Sequence, residues 1–133
     1  MADSTIIFDL VSPERLLLSE PAEMVTIPGT EGEMGVMAGH MSLISTLNPG
    51  IIDVKLAPGK HDRFYITGGF AEVTATKITV LAEDALPIAS MTAQEIHDRI
   101  IDAQEDVATA KTDAEMTRAT TALDELKRLR AAN

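Results

Sequence analysis

The sequence has no cysteine and no tryptophan, and aromatic residues make up only 3% of its 133 positions. Without cysteine there is no disulfide framework and no thiolate metal site. With only Phe8, Phe64, Phe70 and Tyr65 for large rings, a core must be aliphatic and methionine-rich. Histidine is also scarce. His40, His61 and His97 are scattered at spacings that suit no metal. Basic residues number 11 against 21 acidic ones, a net charge of −10. That balance disfavours non-specific nucleic-acid binding, which requires phosphate neutralisation, and docking on an anionic lipid surface. No apolar run approaches the ~20 residues needed to cross a bilayer. The start, Met1-Ala2-Asp3-Ser4, lacks the basic region of a signal peptide. The expectation is a soluble cytosolic chain whose membrane association, if any, is indirect.

Two regions of different texture are present. Up to about residue 88 the chain reads as short strands separated by turn residues. Thr5–Val11 is β-rich and closes at Ser12-Pro13. Arg15–Ser19 ends before Pro21. Glu23–Ile27 alternates polar and apolar residues, the pattern of a half-buried strand, and is stopped by Pro28-Gly29. Further strands are expected at 35–38, 43–47, 51–56, 63–67, 71–74 and 77–82. Strands at such spacing indicate a sandwich or barrel. From Ile88 to Asn133 neither glycine nor proline occurs. Thr92-Ala93-Gln94-Glu95 forms a capping box, with Thr92 capping and Glu95 reaching back. Ile96, Ile100, Ala103, Val107 and Ala110 then fall on one helix face, and Lys111 sits near its carboxyl end, where a cation suits the dipole. Thr112–Glu115 repeats the capping signature, and Met116, Ala119, Leu123 and Leu126, with Leu129 at the edge, make a second stripe. Two helices of about 18 residues, roughly 27 Å each, form an antiparallel hairpin. Both stripes are alanine-rich and bury little apolar area, so the hairpin is expected to be weakly held.

The densest punctuation lies between Gly29 and Gly50, which holds five of the eight glycines. Too rich in glycine for a helix, it reads as a glycine-shaped loop leading into a strand and stopping at Asn48-Pro49-Gly50. Chemistry is sparse there. Glu31 and Glu33 flank Gly32 and could pair as carboxylates, yet no nucleophile or partner acid is nearby. A phosphate cradle would need a Gly-Lys-Ser/Thr ending and a following helix, and neither is present. A small hydrolase built on Glu31, Glu33 and His40 would require those side chains to converge. A free-standing ligand-binding β-domain with a helical lid would require an apolar pocket inside the sandwich.

Gly32-Glu33-Met34-Gly35, then Gly39-His40, then Pro49-Gly50, resembles the epsilon subunits of the F-type ATP synthases. A second block, Gly68-Gly69-Phe70-Ala71-Glu72-Val73 followed by Ile78-Thr79-Val80-Leu81-Ala82-Glu83, is similar to the same family, with Thr67 in place of the commoner serine and Glu83 of the commoner aspartate. The resemblance spans almost the whole chain. It implies a β + α fold: an N-terminal antiparallel β-sandwich of about nine or ten strands over residues 1–88, then a C-terminal two-helix hairpin over 89–133. It further implies a non-catalytic rotor subunit of the central stalk of a proton-translocating synthase, peripheral on the cytoplasmic face of a bacterial inner membrane.

The partners so implied are the gamma subunit, the ring of c subunits and, if the hairpin extends, the alpha/beta catalytic head. Glu33, with Glu31 beside it, matches the glutamate that meets polar loops of the c ring. His40 matches the histidine near gamma. Arg118, Lys127, Arg128 and Arg130 are the candidates for an inhibitory contact with an acidic loop of beta. Some members bind ATP through a motif resembling [I/L]-D-x-x-R-A. Here Met91–Ile96 aligns with it, and Thr92 and Glu95 replace its aspartate and arginine. A carboxylate where a phosphate-facing cation should sit is repulsive, so no nucleotide site, cofactor or metal is expected.

Overall fold

The computed structural model describes residues 5–132; the acidic start Met1–Ser4 lies outside them. Ten strands come first: β1 (Ile6–Val11), β2 (Leu16–Ala22), β3 (Met24–Gly29), β4 (Gly32–Val36), β5 (Leu43–Leu47), β6 (Gly50–Ala57), β7 (Lys60–Ile66), β8 (Gly69–Val73), β9 (Lys77–Ala82) and β10 (Ala85–Pro87). A 3-10 turn (Ile88–Ser90) leads to helices α1 (Ala93–Thr109) and α2 (Asp113–Ala132).

The strands form one sheet in the order β10-β7-β6-β3-β5-β8-β9-β1-β2, with β4 paired to β3 alone. The sheet curls until β2 also packs against β6, which encloses a core between its two halves. Alternation dictates which residues enter that core: Ile6, Phe8 and Leu10 from β1, Val25 and Ile27 from β3, Ile52 and Val54 from β6, and Ile78, Val80 and Ala82 from β9. Phe8 and Phe64 meet across it with ring centroids 6.4 Å apart. The interior is filled by these side chains, and neither of two surface clefts, of about 390 and 550 Å3, is lined by this core alone.

Several local expectations need correction. The sheet is mostly antiparallel, but β1 and β9 pair in parallel, Phe8 opposite Ile78. Pro21 does not end β2, which continues to Ala22. As β2 is the terminal strand of the sheet order, proline's missing N–H costs it no ladder bond on the open side. Nor does Pro28-Gly29 end β3. The strand runs through Gly29, pairs Pro28 with Glu33, and reverses over Thr30-Glu31. The glycine-rich segment is thus largely strand. Gly29 and Gly32 face each other where the hairpin closes; a Cβ on Gly29 would lie 2.9 Å from the Gly32 carbonyl oxygen, so the close approach of the two backbones is what requires glycine. The three-residue β10 gave no sequence signal because it is too short to show alternation.

The hairpin forms with its predicted caps. Thr92 Oγ1 accepts from Glu95 N at 3.1 Å, and Thr112 Oγ1 accepts from Glu115 N at 3.1 Å. The return halves of both boxes differ from expectation. Glu95 Oε1 accepts from the Thr92 hydroxyl at 3.3 Å, and Glu115 Oε1 accepts from Lys111 N at 3.1 Å. Lys111 therefore lies in the link beyond the end of α1, whose last turn carries no basic residue. Ile96, Ile100 and Ala103 are buried as expected, with Val107 and Ala110 half-buried. In α2 the buried positions are Ala119, Leu126 and Leu129. Met116 is exposed. The hairpin packs on the outward side of β6, β7 and β10, where Tyr65, Ile51 and Leu86 join Met91, Ile96, Ile100, Leu126 and Leu129 in a second, separate apolar cluster.

Candidate functional site

Three surfaces carry the residues singled out from sequence. The first is the tip of the β3–β4 hairpin. Glu31 sits in its turn and Glu33 two residues on in β4, both exposed. With Gly35 they alternate with Met34 and Val36, which point inward. His40 lies past the other end of β4, so that five-residue strand, roughly 13 Å long, separates it from Glu31. Its Nδ1 is 2.8 Å from the carbonyl oxygen of Met41, and the turn that holds it is anchored by Gly39 N donating to Ala75 O at 2.7 Å. Among the described residues no hydrogen bond joins Glu31 or Glu33 to His40, and no group of histidines and carboxylates could hold a metal. The convergence a hydrolase would require is absent. The histidine serves its local backbone.

The second surface is an outward face of the sheet. The hairpin covers one outward face of the curled sheet; on the opposite face, across β5, β8, β9 and β1, only the start of α2 comes near among the described residues, where Ala114 and Arg118 line a cleft with Thr46, Phe70 and Leu81. Register shows what shares it: Thr46 lies opposite Phe70 and Ile44 opposite Glu72, Glu72 opposite Thr79 and Phe70 opposite Leu81, and Thr79 opposite Asp9. Ile44 is 72% exposed and Phe70 44%, and Met41, on the loop into β5, is 81% exposed. Large side chains left this open by a well-packed sheet mark an interaction surface. The signal was available in the sequence: Ile44 and Phe70 sit at the polar phase of the alternation in their strands. At the far side of this face Asp9 accepts from Ser19 Oγ at 2.6 Å and pairs with Lys77 Nζ at 2.9 Å. The Ser19 hydrogen bond, together with Lys77, holds its carboxyl below the usual range despite opposing desolvation.

The third surface is the junction of hairpin and sheet. Of the four basic residues expected to reach another subunit, Arg118 is already engaged. Its guanidinium donates to the carbonyl oxygen of Thr67 at 2.7 Å and to both oxygens of Glu83 at 2.8 and 3.1 Å. Arg128 pairs with Glu125 at 2.7 Å along the same helix. Lys127 and Arg130 are exposed and form no ion pair among the described residues. From α1, Arg99 reaches Asp84 at 3.1 Å, a contact with no sequence signature because it depends on where the β9–β10 turn is carried. Tyr65 lies beneath both helices, and its burial pushes the phenol above its ordinary value. Thr92 and Glu95 are occupied in the α1 cap, so the residues that replace the nucleotide motif have a structural task.

Comparison with known proteins agrees with this geometry. Residues 5–88 match the family described as ATP synthase, Delta/Epsilon chain, beta-sandwich domain. The chain is 51% identical over 123 residues to an ATP synthase epsilon chain of Parvibaculum lavamentivorans, covering 92% of this chain and 93% of that one. It is 44% identical over 125 residues to one of Mesorhizobium japonicum, covering 94% and 93%. Among solved structures, a chain of the Euglena gracilis mitochondrial ATP synthase (OSCP/F1/c-ring) superposes with a TM-score of 0.75 at 30% identity, covering 97% of this chain and 81% of that one.

Proposed function

Because the chain belongs to the delta/epsilon chain family of ATP synthase, with epsilon chains as its relatives, we propose that it is a non-catalytic rotor subunit of the central stalk, peripheral on the cytoplasmic face of a bacterial inner membrane. Residues 1–88 are its working part and residues 89–133 an arm. The observation that carries this reading is the exposed face bearing Ile44 and Phe70, opposite the face on which the hairpin lies. It is the surface for gamma, with His40 at its margin. Glu31 and Glu33, at the tip of the β3–β4 hairpin, face the polar loops of the c ring and give orientation and a modest, salt-sensitive affinity. A densely packed sandwich is poorly compressible, so held between ring and stalk it transmits torque without storing it. If the hairpin extends, Lys127, Arg128 and Arg130, and Arg118 once released, are the cations offered to the catalytic head.

The test is binding to purified gamma. The double variant Ile44→Asp/Phe70→Ala should bind at least tenfold more weakly, because burial of each side chain is worth about 1.5–3 kcal/mol and a central apolar anchor dominates such interfaces. Both residues are exposed in the isolated chain, so its stability should not change. Gamma affinity equal to that of the unaltered chain would overturn the assignment of this face.

A further inference from the structure

The hairpin is fastened differently at its two ends. Antiparallel packing brings Ile96 and Ile100 of α1 beside Leu126 and Leu129 of α2, and these seat on Tyr65, Ile51 and Leu86. Towards the link between the helices the facing residues dwindle to Ala103, Ala119 and Ala122. A cavity of about 390 Å3 opens there between both helices and the sheet, with Tyr65 and Thr67 on its floor. Methyl groups bury too little area to hold that end down.

Charge does so instead. Glu83 and Asp84 are adjacent in the turn between β9 and β10, and each receives an arginine from a different helix: Arg118 of α2 on Glu83 at 2.8 Å and Arg99 of α1 on Asp84 at 3.1 Å. Arg118 is the more elaborately held, since the same guanidinium also donates to Thr67 O at 2.7 Å. The backbone is shaped to admit it. Gly68 has φ +126°, and a Cβ there would lie 2.7 Å from the Arg118 terminal nitrogen, so a side chain at this position would both strain the turn and evict the guanidinium.

We propose that the Glu83-Asp84 turn is a catch: Arg118 on Glu83 holds the link end of the hairpin, while Arg99 on Asp84 ties the turn to the seated part of α1 beside Ile100, so that release of Arg118 frees the link end while the apolar seat stays in place. The catch is salt-sensitive because its pairs are half-exposed: the side chains of Arg118 and Glu83 retain 51% and 59% of their accessibility. It deepens the reading of the hairpin as an arm. Arg118 engaged by Glu83 is withheld from any acidic partner, so an acidic loop must compete for it.

Amide hydrogen exchange on the isolated full chain tests this, and the result stands apart from whether gamma binds. At about 20 mM salt, where exposed pairs are weakly screened, Glu83→Gln/Asp84→Asn should speed exchange of residues 113–122 about fivefold, the loss expected for two partly exposed pairs. Arg118→Gln, which leaves the turn itself intact, should accelerate the same segment. Raising salt to about 0.5 M should move the unaltered chain towards the variants, with residues 123–132 and the strands unaffected. Exchange in 113–122 that is unchanged by Arg118→Gln would overturn the catch. So would acceleration that spreads to the strands, because the turn would then be supporting the sandwich and not the hairpin.

Discussion

Ile100→Ala is the most informative single change, because it asks whether hairpin and sandwich are one cooperative unit or two. Ile100 is 2% exposed and belongs to the cluster between hairpin and sheet, not to the core enclosed by the curled strands. Truncating a buried isoleucine to alanine costs about 2–5 kcal/mol, the spread reflecting how far the site can collapse. Here the cavity of about 390 Å3 beside Ala103, one turn along α1, gives neighbouring side chains room to relax and water a route in, which places the cost in the lower half, about 2–3 kcal/mol. If the two clusters are energetically separate, all of that loss falls on the opening of the hairpin. Amide exchange of α1 and α2 should then accelerate roughly 30- to 150-fold, while protected amides in β1, β6 and β9 keep their rates. Ile78→Ala, in the enclosed core, is the control and should accelerate strands and helices together. Equal acceleration of strands by Ile100→Ala would refute the separation and the reasoning from two clusters with it.

Two further predictions concern the sandwich. Glu20 on β2 carries a buried carboxylate oxygen with no hydrogen-bond partner, and its pKa is raised, first by desolvation and then by Asp62. A raised carboxyl pKa means that ionisation costs stability. The cost is absent below the ordinary value of 4.5 and sets in as pH rises through the folded value. Glu20→Gln should accordingly raise Tm at neutral pH, with the gain vanishing below about pH 4; thermal melts at both pH values check this, and a gain that persisted in acid would contradict it. Gly69 opens β8 with φ +146°, and a Cβ there would collide with the Leu81 carbonyl oxygen. Gly69→Ala cannot be relieved by a rotamer change, because the obstacle is backbone, and should destabilise the sandwich by more than about 3 kcal/mol in urea titration.

Alternation and punctuation in the sequence determine most of the β region, because a strand with one face buried must repeat every second residue. Val25 and Ile27 announce β3, and Ile78, Val80 and Ala82 announce β9, without reference to any partner. Thr92 and Thr112 mark both helix starts for an equally local reason: a hydroxyl at the cap satisfies an amide three residues away. The two glycine blocks likewise carry the family resemblance, since Gly32, Gly39, Gly68 and Gly69 take a positive φ that favours glycine. What the sequence could not decide is everything that depends on the sheet's curl. Pro21 reads as a breaker until β2 proves to be the terminal strand, where a missing N–H is harmless. The glycine-rich stretch reads as a loop until Gly29 and Gly32 are seen to close a hairpin. Above all, no local pattern says which outward face of the curled sheet the helices cover. That choice, made by Tyr65, Ile51 and Leu86 at the far ends of long-range pairings, leaves Ile44 and Phe70 uncovered and brings Arg118 across 35 residues of chain to Glu83. Both follow from which distant surfaces the chain can bury together.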